Sequence, residues 1–172
     1  MRIRQRILTV SAATVLAAGM LSAQNAERLR RPDNDFLIKA AQGGTAEVEM
    51  GRVAVQHASN AAVKQFGQRM VDDHSKANDE LKAVASRKGF TPPAGVDAKQ
   101  QATMDRLSSL NGAAFDRAYM QDMVKDHEED IAEFQREANS GNDPDLKAFA
   151  AKTLPTLQEH LKMAREAESQ VH

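Results

Sequence analysis

Four stretches of this chain carry small and apolar residues that step alternately by four and by three, and near the middle of each row stands a residue able to bind a proton or a metal. Such steps line one face of an α-helix and form the seam along which helices pack. The rows read Phe36, Ala40, Gly43, Glu47, Met50, Ala54, His57; then Val63, Gly67, Met70, His74, Ala77, Leu81, Val84; then Met120, Val124, His127, Ile131, Phe134, Ala138; and last Leu146, Ala150, Thr153, Leu157, His160, Ala164, Ala167, Val171. Four striped helices in one small chain can hide their stripes only against each other, which predicts an all-α four-helix bundle.

Turn chemistry sets the predicted boundaries. Asp33, Asn34 and Asp35 offer caps for a first helix from about Phe36 to Ala58, and Ser59-Asn60 stops it and caps a second over about Ala61 to Lys88. Gly89 and the Thr91-Pro92-Pro93-Ala94-Gly95 run then forbid helix. Asp97 caps a short helix to about Leu110, and Asn111-Gly112 breaks it from a third long helix over Ala113 to Asn139. Asp143-Pro144 opens the fourth, which Pro155 should kink. Gly43-Gly44 inside the first helix costs roughly 1 kcal/mol per glycine, so close approach of a neighbouring helix is expected there.

Residues 1–23 read as a secretory signal peptide: Arg2, Arg4 and Arg6, an apolar run from Ile7 to Met20, and a small residue at Ala23 for cleavage. The run is shorter than the roughly 20 residues a membrane span needs. Cleavage leaves residues 24–172 as the bundle domain, with 20 basic against 24 acidic side chains, a net charge of −4 that argues against a nucleic-acid partner. With no cysteine, the chain has no thiol to pair in an oxidising compartment and no site for a lipid on a new N-terminus. The expectation is an exported, periplasmic protein without a transmembrane segment, which leaves peripheral association with the outer membrane open.

Glu47, His74 and His127 lie near mid-height of their helices and His160 a little past it, so all four can meet. His57 is ten residues beyond Glu47, about 15 Å along the axis, and cannot share their site. Burying a carboxylate and three imidazoles together is costly unless they pair or bind a cation, so these four are the candidate metal ligands. The pattern Met-Val-x-Asp-His occurs twice, at residues 70–74 and 123–127, and Glu159-His160 echoes its end. Asp73, Asp126 and Glu159 are therefore candidates to orient the imidazole of a neighbouring helix. Met50, Met70, Met120, Met123 and Met163 stand three to seven residues from the proposed ligands; Met70 and Met123, each four before a histidine, are the nearest soft donors, though core packing also accounts for them.

These residues carry a family resemblance. Asp35-Phe36-Leu37, Ala40-Ala41-x-Gly43-Gly44, Glu47-Val48-Glu49-Met50-Gly51, the two Asp-His motifs, Phe115-Asp116-x-Ala118-Tyr119 and Leu154-Pro155-x-Leu157-x-x-His160-Leu161 resemble the exported bacterial family called domain of unknown function 4142. The resemblance implies a ferritin-like bundle with the short helix in the crossover between helices two and three, and no particular activity. Di-iron proteins of that fold pair each histidine with a glutamate three residues earlier. Here Val71, Val124 and Leu157 occupy those positions, so a single zinc, iron, manganese or copper ion suits the site better. The rival reading is a metal-free structural or interaction module of the cell envelope, its histidines a hydrogen-bonded core and its outer faces open to a protein partner. No serine or cysteine nucleophile arrangement marks an enzyme.

Overall fold

The computed structural model describes residues 29–171, and the signal-peptide reading of residues 1–23 lies outside them. Five helices follow in order: α1 (Arg31–His57), α2 (Ala61–Arg87), α3 (Ala98–Ser108), α4 (Gly112–Ser140) and α5 (Pro144–Glu168). The chain is a ferritin-like all-α bundle, with the short α3 in the crossover between α2 and α4. Among the described residues no helix is long and apolar enough to cross a membrane.

The predicted caps act as drawn. Asn60 accepts from the Ala62 amide at 2.7 Å, Asp97 and Gln100 form a capping box, and Asp143 accepts from Asp145 and Leu146 with Pro144 in the first turn. Gly89, at φ 65°, turns the chain out of α2. The start of α1 differs from expectation, since it begins at Arg31 and its N-cap residue Arg30 makes no side-chain cap. Pro32 supplies the fixed backbone angle of a first helical turn, and Asp33 is used elsewhere: it is buried and accepts from the Asn142 amide at 2.8 Å, fastening α1 to the α4–α5 turn. Pro155 is accommodated inside a continuous α5.

Helices α1 and α2 form one antiparallel hairpin and α4 and α5 another; α2 packs beside α5, and α1 beside α4 and the crossover helix α3. Consequently α2 and α4 run one way and α1 and α5 the other, which a crossover along the bundle's length permits. At the far end Asp116 of α4 accepts from the Ser59 and Asn60 amides, each at 3.0 Å, and His57 Nδ1–H donates to Leu110 O at 2.8 Å. Two apolar clusters fill the interior. One gathers Met50, Ala54, Phe66, Met70, Phe115, Tyr119 and Met123; the other Phe36, Leu81, Phe134, Leu146, Phe149 and Leu157. On the α4 row Met120, His127 and Phe134 are buried as expected, Val124 and Ile131 are half-buried against the clusters, and Met123 beside the row is fully buried, so the stripe is wider on that side than the row.

The hairpin α1–α2 closes on glycine. A Cβ on Gly67 would lie 2.6 Å from Ala54 Cβ and 2.9 Å from Gly51 O, and one on Gly51 would lie 2.6 Å from Gly67 O. Gly44 faces Asn78 as closely, which bears out the expected helix approach, whereas Gly43 has open space where a Cβ would be. Thermal or denaturant unfolding should therefore give opposite signs: Gly43→Ala stabilises by up to about 1 kcal/mol through helix propensity, and Gly67→Ala destabilises by about 1–3 kcal/mol through overpacking. Stabilisation by both would mean that the helices separate freely and that the close crossing is not a constraint.

Candidate metal centre

Glu47 of α1, His74 of α2, His127 of α4 and His160 of α5 meet between the two apolar clusters. The imidazole centroids of His74, His127 and His160 are 5.3, 5.4 and 6.0 Å apart, and one ring nitrogen of each lies within 4.8 Å of the others'. Glu47, His127 and His160 are wholly buried and His74 is 6% exposed. Glu47 Oε2 lies 2.8 Å from His74 Nδ1, and Glu47 Oε1 lies 3.3 Å from His127 Nε2. Neither contact has hydrogen-bond geometry, so both carboxyl oxygens are buried without a hydrogen bond.

Two of the three rings have one nitrogen hydrogen-bonded, and the third, His74, lies against a carboxyl. His127 Nδ1–H donates to Met123 O, four residues earlier on its own helix, at 2.9 Å; His160 Nε2–H donates to Asp73 Oδ2 across to α2 at 3.0 Å; and His74 Nδ1 abuts Glu47. The remaining atoms, His74 Nε2, His127 Nε2 and His160 Nδ1, are buried and have no partner. Fixing one nitrogen of an imidazole sets which tautomer is present and turns the other lone pair outward, which is how proteins hold metal-ligating histidines. Asp73 thus does for His160 what its place beside His74 suggested. Arg69 also donates to it, and although partial burial pushes its carboxyl up, the hydrogen bonds from His160 and Arg69 hold it below its usual value.

Two other acids are used differently from expectation. Glu159 is an exposed residue near Lys162 and does not reach the cluster. Asp126 makes no hydrogen bond to an imidazole among the described residues; its carboxylate instead lies with those of Glu47 and Asp130, one oxygen of each within 4.8 Å of the others'. Asp130 was not singled out by the seam, and its only signal is its place one turn after Asp126 on α4. His57 is spent on Leu110, away from the cluster. Met50, Met70, Met120 and Met123 are buried together in the cluster that also packs Met163, so these methionines lie on one side of the imidazole layer. Tyr119 lies in the same cluster with a buried hydroxyl that has no partner.

The layer is uncharged at neutral pH. Burial pushes Glu47 up to about 8, against which His127 pulls it down, and Asp126 pushes it further up. Burial likewise pushes His74 and His160 down to about 4 and lowers His127. Glu47 and the imidazoles are therefore neutral neighbours rather than ion pairs, and only a cation gives the carboxylate reason to ionise. A space of about 20 Å³ bounded by Gly44, Glu47, His74, Asp130 and Leu157 adjoins Glu47 and His74 on the side of the second apolar cluster, enough for a water or an ion.

The fold recurs in solved structures. A DUF305 fragment from Deinococcus radiodurans superposes with a TM-score of 0.72 at 12% identity, over 83% of this chain and 98% of that one. CopM in its Cu(II)-bound form gives 0.68 at 16% identity over 81% and 97%, and in its Cu(I)-bound form 0.67 at 13% over 80% and 96%. No curated protein sequence matches the chain. The family model described as Domain of unknown function (DUF4142) matches residues 18–167.

Opposed titrations shape the stability of the metal-free protein. The folded value of Glu47 is about 8 against 4.5 for the open chain, so its contribution is intact below 4.5 and is lost as pH rises from 4.5 to 8. His74 and His160, at about 4 against 6.5, lose stability as pH falls from 6.5 to 4. A Glu47→Gln variant removes only the first loss, so without metal its Tm should exceed that of the wild type at pH 8 and the gap should close towards pH 5. A variant no more stable than wild type at pH 8 would show that Glu47 ionises without cost.

Proposed function

The chain belongs to the DUF4142 family, a name that specifies no chemistry, and from its own site we propose that it binds one transition-metal ion in the bundle core through His74, His127 and His160, with Glu47 as the anionic partner. The observation that carries this is the set of three buried imidazole nitrogens without partners, on rings whose other nitrogens are hydrogen-bonded in His127 and His160 and abut Glu47 in His74. In a metal-free core such atoms forgo hydrogen bonds they would make in water, at about 1–3 kcal/mol each. An ion accepting three lone pairs removes that loss, and Glu47 gives up its proton to balance the charge.

Imidazole donors accept zinc, copper and iron alike. Copper suits the surroundings best, because thioethers of Met70 and Met123 occupy the apolar layer next to the ligands and soft sulfur favours copper(I). The likeness to CopM, whose structures hold Cu(II), Cu(I) or silver, points the same way. Binding rather than turnover is the role that four buried side chains fit, and the leader read at residues 1–23 would place that role outside the cytoplasm.

Elemental analysis and melting with added metal test the reading. Wild-type protein should take up one equivalent of copper or zinc, and metal at 100 times Kd should stabilise it by about 2.7 kcal/mol. A His74→Ala, His127→Ala double variant should lose both effects. If zinc, copper, iron and manganese all leave the Tm unchanged, the histidines are a metal-free polar core. Competition between copper(I) and zinc separates the methionine role: a Met70→Leu, Met123→Leu variant should lose copper(I) affinity at least tenfold and keep its zinc affinity, and equal loss for both ions would make the methionines packing alone.

A further inference from the structure

We propose that Glu47, Asp126 and Asp130 form a second cation site, distinct from the imidazoles, which takes a hard divalent ion of the manganese(II) class from a groove between α1 and α4. The three carboxylates each bring an oxygen within 4.8 Å of the others. Asp126 and Asp130 stand one turn apart on α4, and Glu47 reaches them from α1. Neither aspartate has a hydrogen bond or salt bridge among the described residues, and the Glu47 carboxyl is fully buried with both oxygens lacking hydrogen bonds. Three carboxylates so close repel one another unless a cation or protons lie between them. Oxygen-only donors select manganese, magnesium or calcium over the softer ions that imidazole holds.

The pseudo-symmetry of the bundle isolates this site from the rest. An axis that exchanges α2 with α4 also exchanges α1 with α5, and it relates the two Met-Val-x-Asp-His motifs. In one half the motif's acid, Asp73, reaches across to His160 of α5 and accepts a hydrogen bond. In the other half Asp126 reaches across to α1, where the counterpart of His160 is Glu47. Acid meets imidazole on one side and acid meets acid on the other. The second arrangement is attractive only with a shared proton or a cation between the partners, and Asp130 adds a third carboxylate to it.

Access is also provided. The groove, about 390 Å³, runs past Lys39, Gly43, Asp122, Glu129 and Glu133 to Asp126 and Asp130. Its lysines sit with outer acids, Lys39 with Glu133 at 3.3 Å and Lys99 and Lys125 with Glu129 at 3.9 Å, and none makes a salt bridge to the inner carboxylates, although the charge of Lys99 favours ionised Asp126 from a distance. Gly43, one turn before Glu47, has open space in place of a side chain. That glycine has no packing reason, and it lines the groove at the point where Asp126 and Asp130 are reached.

Manganese(II) titration of the full chain followed by electron paramagnetic resonance tests the assignment, with zinc uptake measured in parallel to report on the imidazoles. One manganese(II) should bind to wild type and to His74→Ala, His127→Ala protein alike, so that failure of the imidazole site leaves this test intact. An Asp126→Asn, Asp130→Asn variant should lose manganese(II) affinity at least tenfold and keep its zinc uptake, while Glu129→Gln on the rim should change affinity less than threefold. Unchanged manganese(II) binding in the double asparagine variant overturns the proposal. Should that variant fail to fold, wild-type protein still decides: manganese(II) must broaden the amide resonances of Gly43, Glu47 and Asp130 before others, and broadening centred elsewhere overturns it.

Discussion

A polar layer set across an apolar bundle is the constraint on which the rest of this structure depends. Glu47, His74, His127 and His160 come from four helices, and each is buried. Side chains this polar are tolerated in an interior only in company, because each alone would forfeit its hydration with nothing in return. The four must therefore stand at one height, which fixes the axial register of the helices against each other. The apolar core is divided accordingly, with Phe66, Tyr119 and the methionines on one side of the layer and Phe36, Phe134, Phe149 and Leu157 on the other. Burial on both sides keeps Glu47 and the imidazoles uncharged at neutral pH.

The rest of the fold reads as the means of holding that register. Both ends of the bundle are tied by buried aspartates that do not belong to the layer. Asp116 gathers the amides of the α1–α2 turn onto α4, and Asp33 gathers the α4–α5 turn onto α1. Each such contact joins one hairpin to the other, where packing between hairpins is less extensive than within them. Within the first hairpin, Gly51 and Gly67 bring the α1 and α2 backbones together. The crossover through α3 makes α2 parallel to α4 and so allows two copies of one motif to act about a common axis.

The element types and most boundaries were legible because they rest on local chemistry. Asn60, Asp97 and Asp143 cap helices through their own side chains, and a single chain segment carries all the information needed. The four cluster residues were legible for a similar reason, since a polar residue in an apolar row is visible without knowing the neighbours. What failed to show depends on partners distant in sequence. Asp33 looks like a helix cap until the Asn142 amide is brought to it, and the start of α1 shifts with that assignment. On α4 the full burial of Met123 was not legible, because Val124 beside it is as apolar and only partners from other helices choose between them. Glu159 shares the acid-before-histidine pattern of Asp73 yet faces solvent, because α5 has no neighbouring helix on that side to receive it.

The two Asp-His motifs mark where sequence similarity stops determining chemistry. Asp73 and Asp126 occupy the same place in the same pattern, and the fold gives both the same task of reaching to the next helix. What each finds there differs by one residue, His160 in one case and Glu47 in the other. An imidazole offers a proton to the acid and is left with an oriented lone pair, which builds a ligand. A carboxyl offers the acid only more negative charge or a shared proton, which is the arrangement the proposed second cation site rests on. Glu47 is thus the residue at which the symmetry of the bundle is broken, and it faces both ways, towards the imidazoles through His74 and His127 and towards the groove through Asp126 and Asp130. Under the two proposals above, a cation on either side would draw the same proton from it, so the charge state of one buried carboxyl would couple the two sides without any movement of the helices.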